Sequence, residues 1–193
     1  MLAKEGVAVP MTDLFGVAGR ALLAKAPLAP AYAARVESLL DLIESFDRQV
    51  QVFERDVARQ LACDPGYQAI QAIPGVGATF AAIFVAEIGD VRRFTSPAQL
   101  CSWAGLTPRH RESDTTVKRG PITKQGSRLV RWAAVEAAQR QGSGTKLRAD
   151  FARITASHGE TQGARKVARK IVTLVYYGLR DGTIRSKAIE QAA

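Results

Sequence analysis

Between Ala31 and Ala62 the chain contains neither glycine nor proline, and its apolar residues fall on one stripe. Val36, Leu39, Ile43, Phe46, Val50, Phe53 and Val57 are spaced 3, 4, 3, 4, 3, 4. That spacing returns each side chain to one face of an α-helix and is the a/d seam of a heptad repeat held over three heptads. Opposite charges occupy the remaining faces. The pattern predicts a long amphipathic helix over 31–64 that pairs with a partner helix, in a second copy of the chain or on this chain's own core. Residues 1–30 are interrupted by Pro10, Pro27 and Pro30, which leaves room for one short helix between Thr12 and Lys25.

Asp64-Pro65-Gly66 ends the long helix, and shorter helical segments follow. They are expected at about Tyr67–Ala72, Ala78–Ile88, Pro97–Ala104, Ser127–Arg140, Leu147–Ser157 and Thr161–Leu179. Ser96 before Pro97 reads as a cap followed by proline in the first turn. Leu129, Trp132, Ala133 and Ala137 form the expected core face of their helix, and Trp103 and Trp132 are expected in the core. Residues 105–126 lack periodicity and read as a loop or a hairpin. Asp181-Gly182 makes a turn, with a tail over 186–193. The expected fold class is mainly α, a long coiled-coil helix followed by a compact helical domain over 65–185.

Charge narrows the partner. The net charge is +9. Residues 1–64 carry seven basic and nine acidic side chains, a net −2, while residues 65–193 carry twenty and nine, a net +11. A basic domain on a near-neutral arm suits a polyanion. No apolar run is long enough for a membrane span, and the N-terminus lacks a signal-peptide pattern. Cys63 and Cys101 have no metal-type spacing and are expected as small buried hydrophobes in a reducing cytosol.

Two segments carry candidate chemistry. In Ile73-Pro74-Gly75-Val76-Gly77 a Gly-x-Gly turn joins two helices, the pattern of a helix-hairpin-helix. Gly75 and Gly77 permit positive φ and close backbone approach, and the N–H groups of the turn and of the next helix make a seat for a phosphate. The alternative is a tight helix corner without a ligand. In 107–131, seven cations (Arg109, Arg111, Lys118, Arg119, Lys124, Arg128 and Arg131) surround His110, Ser113 and several threonines, against two acids, Glu112 and Asp114. Phosphoryl transfer to a serine hydroxyl needs cations around the phosphorus, and simple phosphate binding needs no more than that. Arg165, Lys166, Arg169 and Lys170 form a further basic helix face, either solvated or set against a nucleic-acid backbone.

Residues 73–138 resemble the Tnp domain of insertion sequence one-ten family transposases. The matching motifs are Pro74–Gly77, Ala86–Asp90, Phe94-Thr95-Ser96, Trp103–Pro108, Ser113 and Gly120–Gly126, in the family's order and at compatible spacing. Weaker likeness extends from about Asp13 to the segment Lys166–Gly182. The resemblance implies a DNA-transposing recombinase in which Ser113 attacks a scissile phosphate and forms a phosphoserine link that a DNA hydroxyl later resolves. It implies DNA as substrate, a guide (bridge) RNA as a further partner, self-association through the coiled coil, and a bacterial, nucleoid-associated setting. Asp114 stands where the family usually has glycine, which places an anion beside the attacked phosphate. By the same resemblance, residues 1–30 are the end of a RuvC-like domain whose acidic Mg²⁺ site is not in this sequence, so no cofactor is expected on this chain. The expectation is a chain that binds nucleic acid but does not transpose alone. Two other functions are open from sequence: a non-catalytic helix-hairpin-helix binding module, and a dimerising regulator of a full-length relative.

Overall fold

The computed structural model describes residues 2–113 and 116–184, and for residues 110–113 and 116–119 it describes the backbone alone. The chain divides into two compact units, Met1–Arg55 and Asp56–Ala193.

In the first unit a 3₁₀ turn (Leu2–Glu5) and a short helix, α1 (Val17–Lys25), precede most of α2 (Pro30–Gln60). Asp13 accepts hydrogen bonds from the N–H groups of Phe15 and Gly16, both at 3.0 Å, and so turns the chain into α1. Pro30 opens α2 at a position whose N–H would have no partner. An ion pair between Arg20 and Glu44 at 2.8 Å ties α1 to α2. The start of the heptad stripe meets this segment: Val36 and Leu39 line an apolar hollow with Leu2, Val9, Phe15 and Leu23. Beyond it the stripe is bare. Phe46, Val50 and Phe53 are 61%, 54% and 67% exposed, and no residue of α2 is buried.

The second unit is built around one helix. Its elements are α3 (Pro65–Gln71), α4 (Ala78–Ile88), a 3₁₀ turn (Val91–Arg93), α5 (Pro97–Trp103), a hairpin of β1 (Pro108–Ser113) and β2 (Thr116–Ile122), α6 (Arg128–Gln139), α7 (Lys146–His158) and α8 (Glu160–Asp181). Asp64, Ser96, Ser127 and Thr145 cap α3, α5, α6 and α7 through their side-chain oxygens. α8 packs against α3, α5, α6 and α7. Its stripe of Val167, Ile171, Val172 and Val175 is fully buried. Small residues let the neighbours come close: Gly163 lies under Thr155 of α7, and Gly178 lies against Ile70 of α3. Tyr176 carries its hydroxyl into the core and donates it to the Phe94 carbonyl at 3.1 Å. Among the described residues no helix is long and apolar enough to cross a membrane.

The mainly helical expectation holds, and Pro108–Ser113 with Thr116–Ile122 take the hairpin alternative. Three placements differ from expectation. Leu129 and Trp132 are 49% and 48% exposed rather than in the core. α6 buries Ala133 and Ala137 as expected, and with them Val130, Ala134 and Ala138, whose small side chains allow close approach to α4 and α8. Cys63 is exposed, because it follows the last turn of α2 rather than lying on a packed face, whereas Cys101 is buried as expected. Burial pushes the Cys101 thiol up from its ordinary value, against a weak hydrogen bond with the Thr173 hydroxyl.

Candidate nucleic-acid interface

The turn between α3 and α4 uses its two glycines differently. Gly75 has φ +80°, the left-handed conformation that favours glycine. A Cβ there would lie 2.3 Å from the Ala137 carbonyl and 2.6 Å from Gln141 Nε2. The close approach at Gly75 is therefore to this chain's own α6. Gln141 is buried and donates from Nε2 to the carbonyls of Pro74 and Ala137, which locks the turn to the end of α6. Gly77, at φ −83°, does not take the positive φ that its sequence context suggested. It is exposed with open space beside it, and it begins α4 without a side-chain cap. The open side of the corner is at Gly77.

The hairpin is antiparallel. Pro108 faces Ile122 at its root, His110 faces Arg119, Arg111 faces Lys118, and Ser113 faces Thr116 at its far end. The segment thus places the backbone positions of Arg111, Ser113, Lys118 and Arg119 on one two-stranded ribbon. Their side chains lie outside the described residues, as do the structure of Asp114 and Thr115 and the tail over 186–193.

The root of the hairpin is tightly held, and this explains two of the sequence motifs. Gly105 and Gly126 both have positive φ. A Cβ on Gly126 would lie 1.7 Å from the Trp103 carbonyl, and one on Gly105 would lie 2.3 Å from the Gln125 carbonyl. No other residue type fits at either position. The N–H groups of Thr123 and Lys124 donate to the carbonyls of Thr107 and Gly105. Arg131 reaches from α6 and donates through one guanidinium nitrogen to the carbonyls of Ala104 and Gln125, at 2.9 and 3.2 Å. Burial, and then the neighbouring charge of Arg128, lower its ordinary pKa without threatening its charge. Of the cations singled out in sequence, Arg131 is thus partly committed to the fold. Arg109, Lys124 and Arg128 are exposed, and none is ion-paired among the described residues.

A cleft opens beside this root. It has a volume of about 470 Å³ and is lined by Ile122, Lys124, Arg131, Val135 and Gln139 on one side and by Glu160, Thr161, Ala164 and Arg165 of α8 on the other. Sequence reasoning placed Arg165 on a helix face with Lys166, Arg169 and Lys170 but had no means of bringing it beside Lys124. The face does not act as a unit. Lys170 pairs with Asp150 of α7, which Arg153 also holds, and these hydrogen bonds keep the Asp150 carboxyl below its usual range.

Elsewhere Arg93 lies over the rings of Phe94 and Trp103 at 4.5 and 4.8 Å, covering Trp103. His158 ends α7, and its Nδ1 lies 2.6 Å from the Ser157 hydroxyl. The acids of α2 run along a helix surface, and among the described residues no three His, Cys, Asp or Glu side chains form a group that could hold a metal ion.

Comparison with known proteins bears on the same region. Residues 67–151 match the family described as Transposase IS116/IS110/IS902 family. A probable family 20 transposase of Pseudomonas aeruginosa is 26% identical over 114 residues, 59% of this chain and 34% of that protein. The 43.6 kDa protein of insertion element IS110 from Streptomyces coelicolor is 27% identical over 150 residues, 77% of this chain and 37% of the other. The transposase for insertion sequence element IS1328 of Yersinia enterocolitica is 28% identical over 91 residues, 47% of this chain and 27% of the other. The chain therefore spans about a third of the length of the curated relatives it matches.

Proposed function

We propose that this chain, which carries a transposase domain of the IS116/IS110/IS902 family over residues 67–151, binds DNA for transposition and presents Ser113 as the nucleophile for strand cleavage and rejoining. The observation that carries the reading is the hairpin: Ser113 is at its far end, opposite Thr116, within the matched region, on a ribbon whose sequence is rich in arginine and lysine. The cations Arg109, Lys124 and Arg128 stand exposed at or near its root. The open, uncapped N-terminus of α4 at Gly77 suits a backbone phosphate of the same DNA, the grip of a helix-hairpin-helix.

In the proposed reaction the Ser113 oxygen attacks the scissile phosphorus. A phosphoserine ester forms as the bond to the leaving deoxyribose oxygen breaks, and the serine proton passes to solvent or to the leaving oxygen. A DNA hydroxyl then attacks the phosphoserine, restores a phosphodiester and frees the serine. Cations of the ribbon itself offset the charge that builds on the phosphoryl oxygens. Arg111, Lys118 and Arg119 belong to this role by their place on the ribbon. No step is assigned to Mg²⁺.

The bare stripe of α2 supports self-association through a coiled coil. Since the chain covers about a third of its relatives, the proposal assigns it nucleic-acid binding and serine attack, with complete transposition, and any use of a guide RNA, requiring the rest of such a protein.

The test is covalent trapping on a nicked DNA oligonucleotide, with affinity measured in parallel. Wild type should bind with steep salt dependence and form an adduct, and Ser113→Ala should bind equally and form none. An adduct that persists in Ser113→Ala removes the serine from its role. Salt-sensitive binding with no adduct in either protein favours the non-catalytic binding module instead. Full strand exchange by the 193-residue chain alone would contradict the division of labour proposed here.

A further inference from the structure

The hairpin root and the start of α8 build a second cationic site, separate from the serine. Its three cations come from three different elements: Lys124 from the loop after β2, Arg131 from α6 and Arg165 from α8. Among the described residues Glu160 is the only acid lining it, and those residues make the cleft net cationic by two charges. Neither Lys124 nor Arg165 has an ion-pair partner among the described residues. Cations gathered in a concave site without matching acids raise the local potential and call for an anion.

The backbone at Lys124 gives an independent indication. Among the described residues it is the one non-glycine with positive φ, at +57°. Its two neighbours in the same junction that share this conformation, Gly105 and Gly126, are glycines, as the conformation favours. A lysine here costs the fold free energy that glycine would not. Conformational strain of this kind gathers where a side chain has a task. The junction's hydrogen bonds hold the lysine in place, with its side chain on the wall of the cleft.

We infer that this cleft seats a phosphodiester of the nucleic-acid strand at a distance from the serine, with Lys124 and Arg165 as its mobile clamps, Arg131 as a fixed charge in the wall, and the Thr161 hydroxyl as a donor. The inference rests on the proposed nucleic-acid binding but not on the serine's chemistry. Ile122 faces Pro108, and Ser113 lies five steps along β1 from Pro108, a span of at most about 17 Å at roughly 3.3 Å per residue. That places the seat within about five nucleotides of the attacked phosphate along a strand. The cleft would fix the strand's direction relative to the hairpin while the serine acts at the other end.

Lys124 also supplies an unusual test, because Lys124→Gly removes the amine while relieving the backbone. The full chain is titrated with a labelled 20-nucleotide DNA, single-stranded and duplex, across a range of salt, for wild type, Lys124→Gly, Arg165→Gln and the double variant. Lys124→Gly should melt no lower than wild type. Each single variant should weaken binding about 3- to 10-fold and the double about 10- to 30-fold, with the slope of log affinity against log salt shallower by about 2. Steep, salt-dependent binding by wild type that is unchanged in the double variant overturns the cleft and leaves nucleic-acid binding intact. Absence of salt-sensitive binding in wild type overturns both. Inorganic phosphate at matched ionic strength is the second arm. If the variants lose protection by phosphate against heat yet keep full oligonucleotide affinity, the cleft takes free phosphate and the strand assignment fails. Should Lys124→Gly fail to fold, Arg165→Gln decides the matter by the same affinity and slope.

Discussion

α2 and α8 are both long amphipathic helices, and their fates differ. α8 spans 22 residues and buries nine of them, while α2 spans 31 and buries none. Periodicity does not separate them, since each gathers its apolar residues on one face. Residue size does. α8 sets Gly163, Ala164, Ala168 and Gly178 among its valines and isoleucine, so that α3, α6 and α7 approach closely and interlock. α2 presents Leu39, Phe46, Val50 and Phe53 with no glycine or alanine between them, a seam shaped for knobs of another helix. The first is a helix that a domain forms around. The second remains exposed and is proposed to meet a second copy.

That contrast can be broken by substitution. Ile171→Ala, in the fully buried stripe of α8, should cost about 2–5 kcal/mol of stability through lost transfer energy and the cavity left behind. Chemical denaturation measures it, and a loss below 1 kcal/mol would mean that α8 is not the axis of the domain. Asp64→Ala removes the cap that accepts from the Tyr67 N–H at 2.7 Å, and should cost about 1 kcal/mol.

Asp150 fastens α7 to α8, and its contribution depends on pH in a defined direction. Hydrogen bonds from Lys170 and Arg153 hold its carboxyl below the ordinary value of 3.8. The unfolded chain therefore takes up the proton first as pH falls. The stabilisation is fully present above that ordinary value and is lost as pH drops through the lowered one. Asp150→Asn should cost at most about 1 kcal/mol at neutral pH, because Lys170 and Arg153 are solvent-exposed. The difference from wild type should vanish in strong acid, and a difference that grows with acid would contradict the pairing.

The smallest effect on folding belongs to α2. Phe46→Ser with Phe53→Ser should change the stability of the dilute chain by about 0.5 kcal/mol or less per site, since both rings are exposed. The same pair should abolish self-association measured by sedimentation. Wild type that sediments as a monomer at high concentration, or a double variant that unfolds as Ile171→Ala does, would erase the contrast between the two helices.

The sequence was most informative where local chemistry decides. Ser96-Pro97 begins a helix with a cap and a proline, and α5 starts there; Asp64-Pro65, legible as the end of the long helix, also caps and opens α3, two residues before its expected start. Gly77 and Gly89 bound α4. It was least informative where partners come from far along the chain. The buried face of α6 is only half legible: Ala133 and Ala137 are in the core as expected, but Leu129 and Trp132 are exposed and Val130, Ala134 and Ala138 take the rest of the face. Gly75 was read as an opening for a ligand, and its space is filled by Ala137 of α6, 62 residues away in sequence. Lys124 gives no local sign of its left-handed backbone, which is fixed by hydrogen bonding across the hairpin root. The cleft joins Lys124 to Arg165, and no periodicity links two positions on separate elements.

The claim on which the functional reading depends is that this basic region holds a polynucleotide by its phosphates. The affinity of the full chain for a duplex oligonucleotide, followed from about 50 to 200 mM salt, addresses it directly. With four or more phosphates neutralised, affinity should fall by at least about 100-fold over that range. An affinity that stays level as salt rises would contradict it, whatever Ser113 is later found to do.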